Sequence, residues 1–175
     1  MKKRLEHTPN NIKLKDIEQA LTRVYLRIFR EIKKEADYPN NITGLKLKYN
    51  KLIYDNTRSA VQQSVIIGIE RINRQLKMQS YLTKKDIEVI ETNTDKQVQS
   101  FWRKVELAIK EEESLLIGGS ISDYFNSAAI SAVFTSLADS VKSKVEQLKD
   151  VFREKPKLRW QTKGDSKVCE ICRLS

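Results

Sequence analysis

Apolar residues return every three or four positions along most of this chain, and that period restricts it to amphipathic helices. In residues 14–37 Leu14, Ile17, Leu21, Val24, Ile28 and Ile32 keep the spacing of one buried helical face. Val61, Val65, Ile69, Ile72 and Leu76 form the seam of a second helix over about 45–78, in which Asn50, Asn56 and Gly68 weaken or kink the earlier part. Thr83 stands three residues before Asp86, the spacing of an N-terminal capping pair. It opens a third helix carrying Ile87, Ile90, Val98, Phe101, Val105, Ala108 and Leu115, with Gly118-Gly119 as its stop. A fourth helix runs from Ser120 to about Glu154 with Ile121, Phe125, Ala128, Leu137, Val141, Val145, Leu148 and Phe152 as its apolar positions. Its Asn126–Ser140 stretch is rich in small residues, which let a neighbouring helix come close. Five glycines and three prolines in 175 residues suit such long helices and argue against an all-β fold.

Pro156 breaks the pattern. Beyond it Leu158, Trp160 and Thr162 alternate with Lys157, Arg159, Gln161 and Lys163, the period of a half-exposed strand, and Gly164-Asp165 reads as a turn. The expected fold is therefore mainly α: an elongated bundle of about four long helices over 1–155, then residues 156–175 as the start, a strand and a Cys-x-x-Cys turn, of a small C-terminal α+β domain. One strand is not stable alone, so its partners are expected elsewhere. Phe101 and Trp102 are adjacent on the third helix, so one is expected to face its own core and the other to cover a neighbouring helix or mark an interface.

Charge is unevenly spread within a formal net of +10. Residues 1–34 hold ten basic and four acidic side chains, residues 40–85 nine and two, and residues 86–117 four and eight. Arg23, Arg27, Arg30 and Lys34 recur at steps of four, three and four, so at 100° per residue they share a narrow stripe opposite the apolar face of the first helix. Arg71, Arg74 and Lys77 extend the basic surface on the second helix. A single-signed surface of this kind suits a polyanion such as nucleic acid, or acidic protein residues, because each neutralised phosphate releases counterions. No apolar run nears the length of roughly 18 residues that spans a bilayer, and the first eleven residues lack the apolar centre of a secretory signal, so a protein made in a reducing cytoplasm with no membrane partner is expected.

The two cysteines, Cys169 and Cys172, stand three positions apart near the end of the sequence. A tight turn lets such a pair offer two thiolates to a zinc ion, half of a tetrahedral site. His7, the single histidine, lies far off in sequence, so zinc is expected only as an incomplete site unless a second chain or further residues supply ligands. Unliganded or oxidised cysteines are the second reading. A working dithiol is the third and lacks the following helix that would activate the first thiol. Glycine-rich phosphate loops and metalloprotease helix motifs are absent, and Glu111-Glu112-Glu113 reads as a solvated helix end, so no catalytic residue is assigned and the chain is expected not to be an enzyme.

The string Trp160-x-Thr162-x-x-Asp165-x-x-Val168-Cys169-x-x-Cys172 resembles the signature of the phage Mu F-like head morphogenesis proteins, minor capsid proteins of tailed viruses. In that family a helical region precedes a small domain opened by such a strand, turn and cysteine pair, with a downstream glycine and His/Cys cluster completing a metal site. The match covers about 16 residues. The resemblance implies a chain continuing or processed near Ser175, and a structural head protein in several copies per particle. It also implies a place in the virion at the capsid interior or portal vertex, contacts with portal protein or major capsid protein, and a role in head assembly or in packaging and ejecting DNA. Some relatives carry toxin domains behind this module, so a delivery role is a further expectation. The alternative from charge alone is a basic helical DNA-binding protein that dimerises through an intermolecular Cys169/Cys172 metal site.

Overall fold

A computed structural model describes residues 3–4, 13–35, 42–78, 81–110 and 121–148. The chain divides into two compact units, Met1–Lys144 and Val145–Ser175. Trp160, Asp165, Cys169, Cys172 and the Lys155-Pro156 junction all lie outside the described residues.

The first unit is mainly helical: α1 (Leu14–Glu35), α2 (Ile42–Gln75), α3 (Lys84–Lys110) and α4, which begins at Ile121 and ends at Leu148 within the second unit. Lys13 accepts back-bonds from the first turn of α1 and is itself held by Asp16, whose carboxylate takes the Lys13 N–H at 3.1 Å. Periodicity then puts Ile17, Leu21, Ile28 and Ile32 inside together with Tyr25 and Phe29, while Leu14 and Val24 are half-buried. Asn50 and Asn56 lie within α2, which is continuous from Ile42 to Gln75. The Asn56 amide donates to Leu52 O at 2.7 Å within the helix, and Asn50 turns its carbonyl to the indole of Trp102 at 3.0 Å.

Cross-contacts set the directions. Tyr25 and Thr57 share a hydrogen bond of 2.9 Å, and Lys48 meets Glu35 at 2.6 Å, so α1 and α2 run antiparallel. Lys46 meets Glu106 at 2.6 Å while Val61, Val65 and Ile69 pack with Ile90, which makes α3 antiparallel to α2. Lys104 reaches Tyr124 O and Asn93 reaches Asp139, so α4 returns antiparallel to α3. Five buried aromatic rings join three of the helices, with Phe101 central, 4.7 Å from Tyr25, 5.4 Å from Phe125 and 5.7 Å from Trp102. Burying rings of this size contributes about 1.5–3 kcal/mol each, which makes this cluster the main apolar anchor. Both Phe101 and Trp102 are buried, and the second aromatic covers the neighbouring helix α2.

The small residues of α4 act as their composition suggests. Ala128, Ala129, Ala132, Ser136 and Ser140 are buried, and a Cβ on Gly68 would collide with Ser140 Oγ and stand 3.2 Å from Leu137 O. Two expectations change. Leu76 and Ile87, read as buried, are exposed. α2 stops one residue before Leu76, and Ile87 lies on the outer side of the first turns of α3. The stop is a Schellman turn: Lys77, at φ 52°, donates to Arg74 O at 3.3 Å and Met78 donates to Asn73 O at 2.8 Å. A two-residue antiparallel ribbon follows, in which β1 (Lys3–Arg4) pairs with β2 (Tyr81–Leu82), Lys3 opposite Leu82 and Arg4 opposite Tyr81.

Candidate nucleic-acid interface

The stripe on α1 exists because every cation in it sits opposite the apolar seam. Arg23, Arg27, Arg30 and Lys34 are all exposed, and they fall within about 60° of helix circumference at 100° per residue. Lys33, also exposed, widens it. Lys34 Nζ donates to Glu31 Oε1 at 3.0 Å, so the last cation is partly neutralised. Among the described residues no ion pair includes Arg23, Arg27 or Arg30. Three guanidiniums at this spacing offer forked donors to phosphates or carboxylates.

The end of the stripe is fixed by a small electrostatic clamp. Lys48 donates to both oxygens of Glu35, and Tyr49 OH donates to Oε1 at 2.7 Å. These bonds hold the Glu35 carboxyl below its ordinary range and raise the Lys48 ammonium, so Lys48 is committed to Glu35. Lys104 is a different kind of cation. Burial pushes its pKa down, and its ammonium rests 4.2 Å from the Tyr124 ring while donating to Tyr124 O and Ser127 Oγ. It joins α3 to α4.

Arg71, Arg74 and Lys77 are exposed at the end of α2. They do not continue the α1 stripe. Since Tyr25 faces Thr57, the 14 residues from Thr57 to Arg71 put the second group about 20 Å further along the axis at 1.5 Å per residue. The reason is length: α2 has 34 residues and α1 only 22. Sequence reasoning missed Lys84 and Lys85, which are exposed in the first turn of α3 beside that second group, although the Lys-Lys pair directly after Thr83 was a readable signal. Asp86 does what its spacing suggests. It is buried, and its Oδ2 accepts from both Thr83 N at 2.8 Å and Thr83 Oγ1 at 2.7 Å.

Among the described residues no group of three or more His, Cys, Asp or Glu is placed to hold a metal ion, and no helix is long and apolar enough to cross a membrane. The cysteine pair expected to bind zinc lies outside those residues. No family model, no curated protein and no solved structure matches the chain.

Proposed function

We propose that the chain is a structural minor head protein of a tailed virus that associates with portal protein or the inner capsid and assists head assembly or DNA packaging and ejection. The observation that carries this reading is the terminal string from Trp160 to Cys172, with six spaced positions, following a long helical region. In this reading the helices form an elongated bundle present in several copies per particle, and residues 156–175 open a small α+β domain. Cys169 and Cys172 hold zinc together with ligands from outside these 175 residues. The chain has no catalytic role. Peptide-mapping mass spectrometry on purified particles tests it: peptides of this chain are expected in virions, together with peptides C-terminal to Ser175. Their absence from every particle fraction overturns it.

The exposed Arg23, Arg27, Arg30 and Lys34 stripe favours a second reading, a basic helical DNA-binding protein that dimerises through a metal shared at Cys169 and Cys172. Phosphate contacts make affinity fall steeply with salt. Duplex binding that weakens with salt and drops on R23A/R27A/R30A, with metal-dependent dimers lost on Cys169→Ser, is the expected pattern. Salt-independent binding overturns it.

A further inference from the structure

The end of the first unit where α2 stops and α3 starts collects features that each work against an isolated chain. Lys77 takes the left-handed position of the Schellman turn, where glycine is the unstrained choice. Lys84 and Lys85 occupy the first turn of α3, where the positive end of the helix dipole favours carboxylates. Three of the eight exposed large apolar side chains among the described residues lie on the chain between the end of α2 and the first turns of α3: Leu76, Met78 and Ile87, each about 40% exposed. Arg71, Arg74, Lys77, Lys84 and Lys85 are all exposed, and none belongs to the ion pairs formed among the described residues. Of the nearby acids, Asp86 is buried under Thr83, which leaves Glu70 and Glu88 against this group.

A nucleic-acid backbone asks for the cations but not for the apolar trio. The α1 stripe shows the contrast, since no exposed large apolar side chain lies on α1. The corner fits an anionic segment with apolar anchors, and the chain contains one: Glu111-Glu112-Glu113-Ser114-Leu115-Leu116-Ile117, directly after the last residue of α3. That segment starts from the far end of α3. The 27 residues of α3 separate its two ends by about 40 Å at 1.5 Å per residue. The seven residues from Lys110 to Ile117 reach at most about 25 Å even fully extended. A copy therefore cannot fill its own corner.

We propose that the α2–α3 corner docks residues 111–117 of a second copy, head to tail, with Arg71, Arg74, Lys84 and Lys85 meeting the three glutamates and Leu76, Met78 and Ile87 meeting the Leu-Leu-Ile anchor. Such a contact joins two different surfaces, so repetition closes a ring or runs into a filament. It stands apart from the head-protein reading, because it rests on the corner and the 111–117 segment and not on the terminal string.

Sedimentation velocity of the full chain over a concentration series, at low and high salt, tests it. The expected result is a concentration-dependent larger species that shrinks as salt rises and is lost in K84E/K85E and, separately, in E111K/E112K/E113K. Glutamates suit a first helical turn, so K84E/K85E does not weaken α3 and its loss of assembly cannot come from unfolding; circular dichroism checks both variants. Mixing the two variants is expected to restore the larger species, since each then meets a complementary partner at both ends. A synthetic peptide spanning residues 110–119 is expected to dissociate the wild-type species. The proposal is overturned by a chain that stays monomeric throughout, by assembly that survives both charge reversals, by a mixture that stays monomeric, or by a corner variant that loses duplex binding while keeping its assembly.

Discussion

The interior of the helical unit is built in two chemistries. Where α1 packs on the start of α2, the end of α3 and the start of α4, the filling is aromatic and aliphatic: Tyr25, Phe29, Phe101, Trp102 and Phe125 among isoleucines and alanines. Where the later part of α2 meets the early part of α3 and the later part of α4, four apolar residues, Val61, Val65, Ile69 and Ile90, share the interior with buried Ser64, Asn73, Asn93, Thr94, Gln97, Ser136 and Ser140. Rings bury area and tolerate small shifts in register. Buried amides and hydroxyls bury less apolar area, yet penalise any register that leaves them unpaired. Stability is thus concentrated at the aromatic part, and the polar part selects the alignment of α2, α3 and α4.

The largest effect expected from this contrast is a difference between two truncations. Phe101→Ala removes the central ring of the cluster and is expected to cost about 3–5 kcal/mol, the usual range for a buried phenylalanine. Asn93→Ala removes the amide that donates to Asp139 Oδ2 at 3.0 Å and is expected to cost about 1–3 kcal/mol, mainly through the carboxylate left without that donor. Urea unfolding of both variants checks it. Equal costs would erase the division between the two parts.

High pH probes the aromatic part alone. Burial pushes the Tyr25 phenol from 10.0 up to about 12, outweighing the Thr57 hydrogen bond that lowers it. The folded state therefore keeps a proton that the unfolded chain releases. Its contribution is complete below pH 10 and is lost as pH rises toward 12, about 3 kcal/mol over that window at 1.36 kcal/mol per unit. Alkaline unfolding monitored by circular dichroism is expected to be less steep in Tyr25→Phe. An unchanged profile would place the alkaline transition on other groups.

Gly68 tests the polar part through packing. Its helix faces Ser140 and Leu137 so closely that Gly68→Ala forces α2 and α4 apart or turns Ser140 away from Leu137 O, which it now reaches at 2.7 Å. A cost of about 1–3 kcal/mol is expected despite the gain in helix propensity from alanine. Thermal unfolding of Gly68→Ala beside an alanine at exposed Ser59 separates the two terms.

Large apolar side chains were the more legible in the sequence, for a physical reason. Three-and-four spacing of large side chains reports a buried face directly, and it placed α1, the later part of α2, α3 and α4; the Thr83–Asp86 cap was equally direct. The polar part carries no such signal, because Asn93, Thr94 and Gln97 resemble surface residues until a facing helix encloses them. Leu76 continued the seam arithmetically, and only a lysine taking the role of glycine ended the helix before it. The ribbon of Lys3–Arg4 with Tyr81–Leu82 is too short to show a period. Among the candidate binding residues, exposure of the α1 stripe followed from helical geometry. Its separation from Arg71, Arg74 and Lys77 did not, since that depends on α2 outrunning α1 in the packed structure.

The smallest expected effect has the opposite sign and is the sharpest on the polar part. Ser136 is fully buried, and its Oγ finds no hydrogen-bond partner among the described residues. A hydroxyl enclosed without a partner has lost its water and regained nothing, so its presence lowers stability. Ser136→Ala removes that group, leaves a methyl of similar bulk and adds the better helix former, so it is expected to be neutral or to stabilise by up to about 1 kcal/mol. The neighbouring hydroxyl gives the control, because Ser64 Oγ donates to Ala60 O at 2.8 Å, and Ser64→Ala discards a bond that is made. If the two alanine variants differ in the direction stated, the polar part contains one hydroxyl that works against stability beside others that are satisfied. Destabilisation by Ser136→Ala as large as that of Ser64→Ala would mean that Ser136 is paired in solution and that this part of the interior is as fully satisfied as the aromatic part is fully packed.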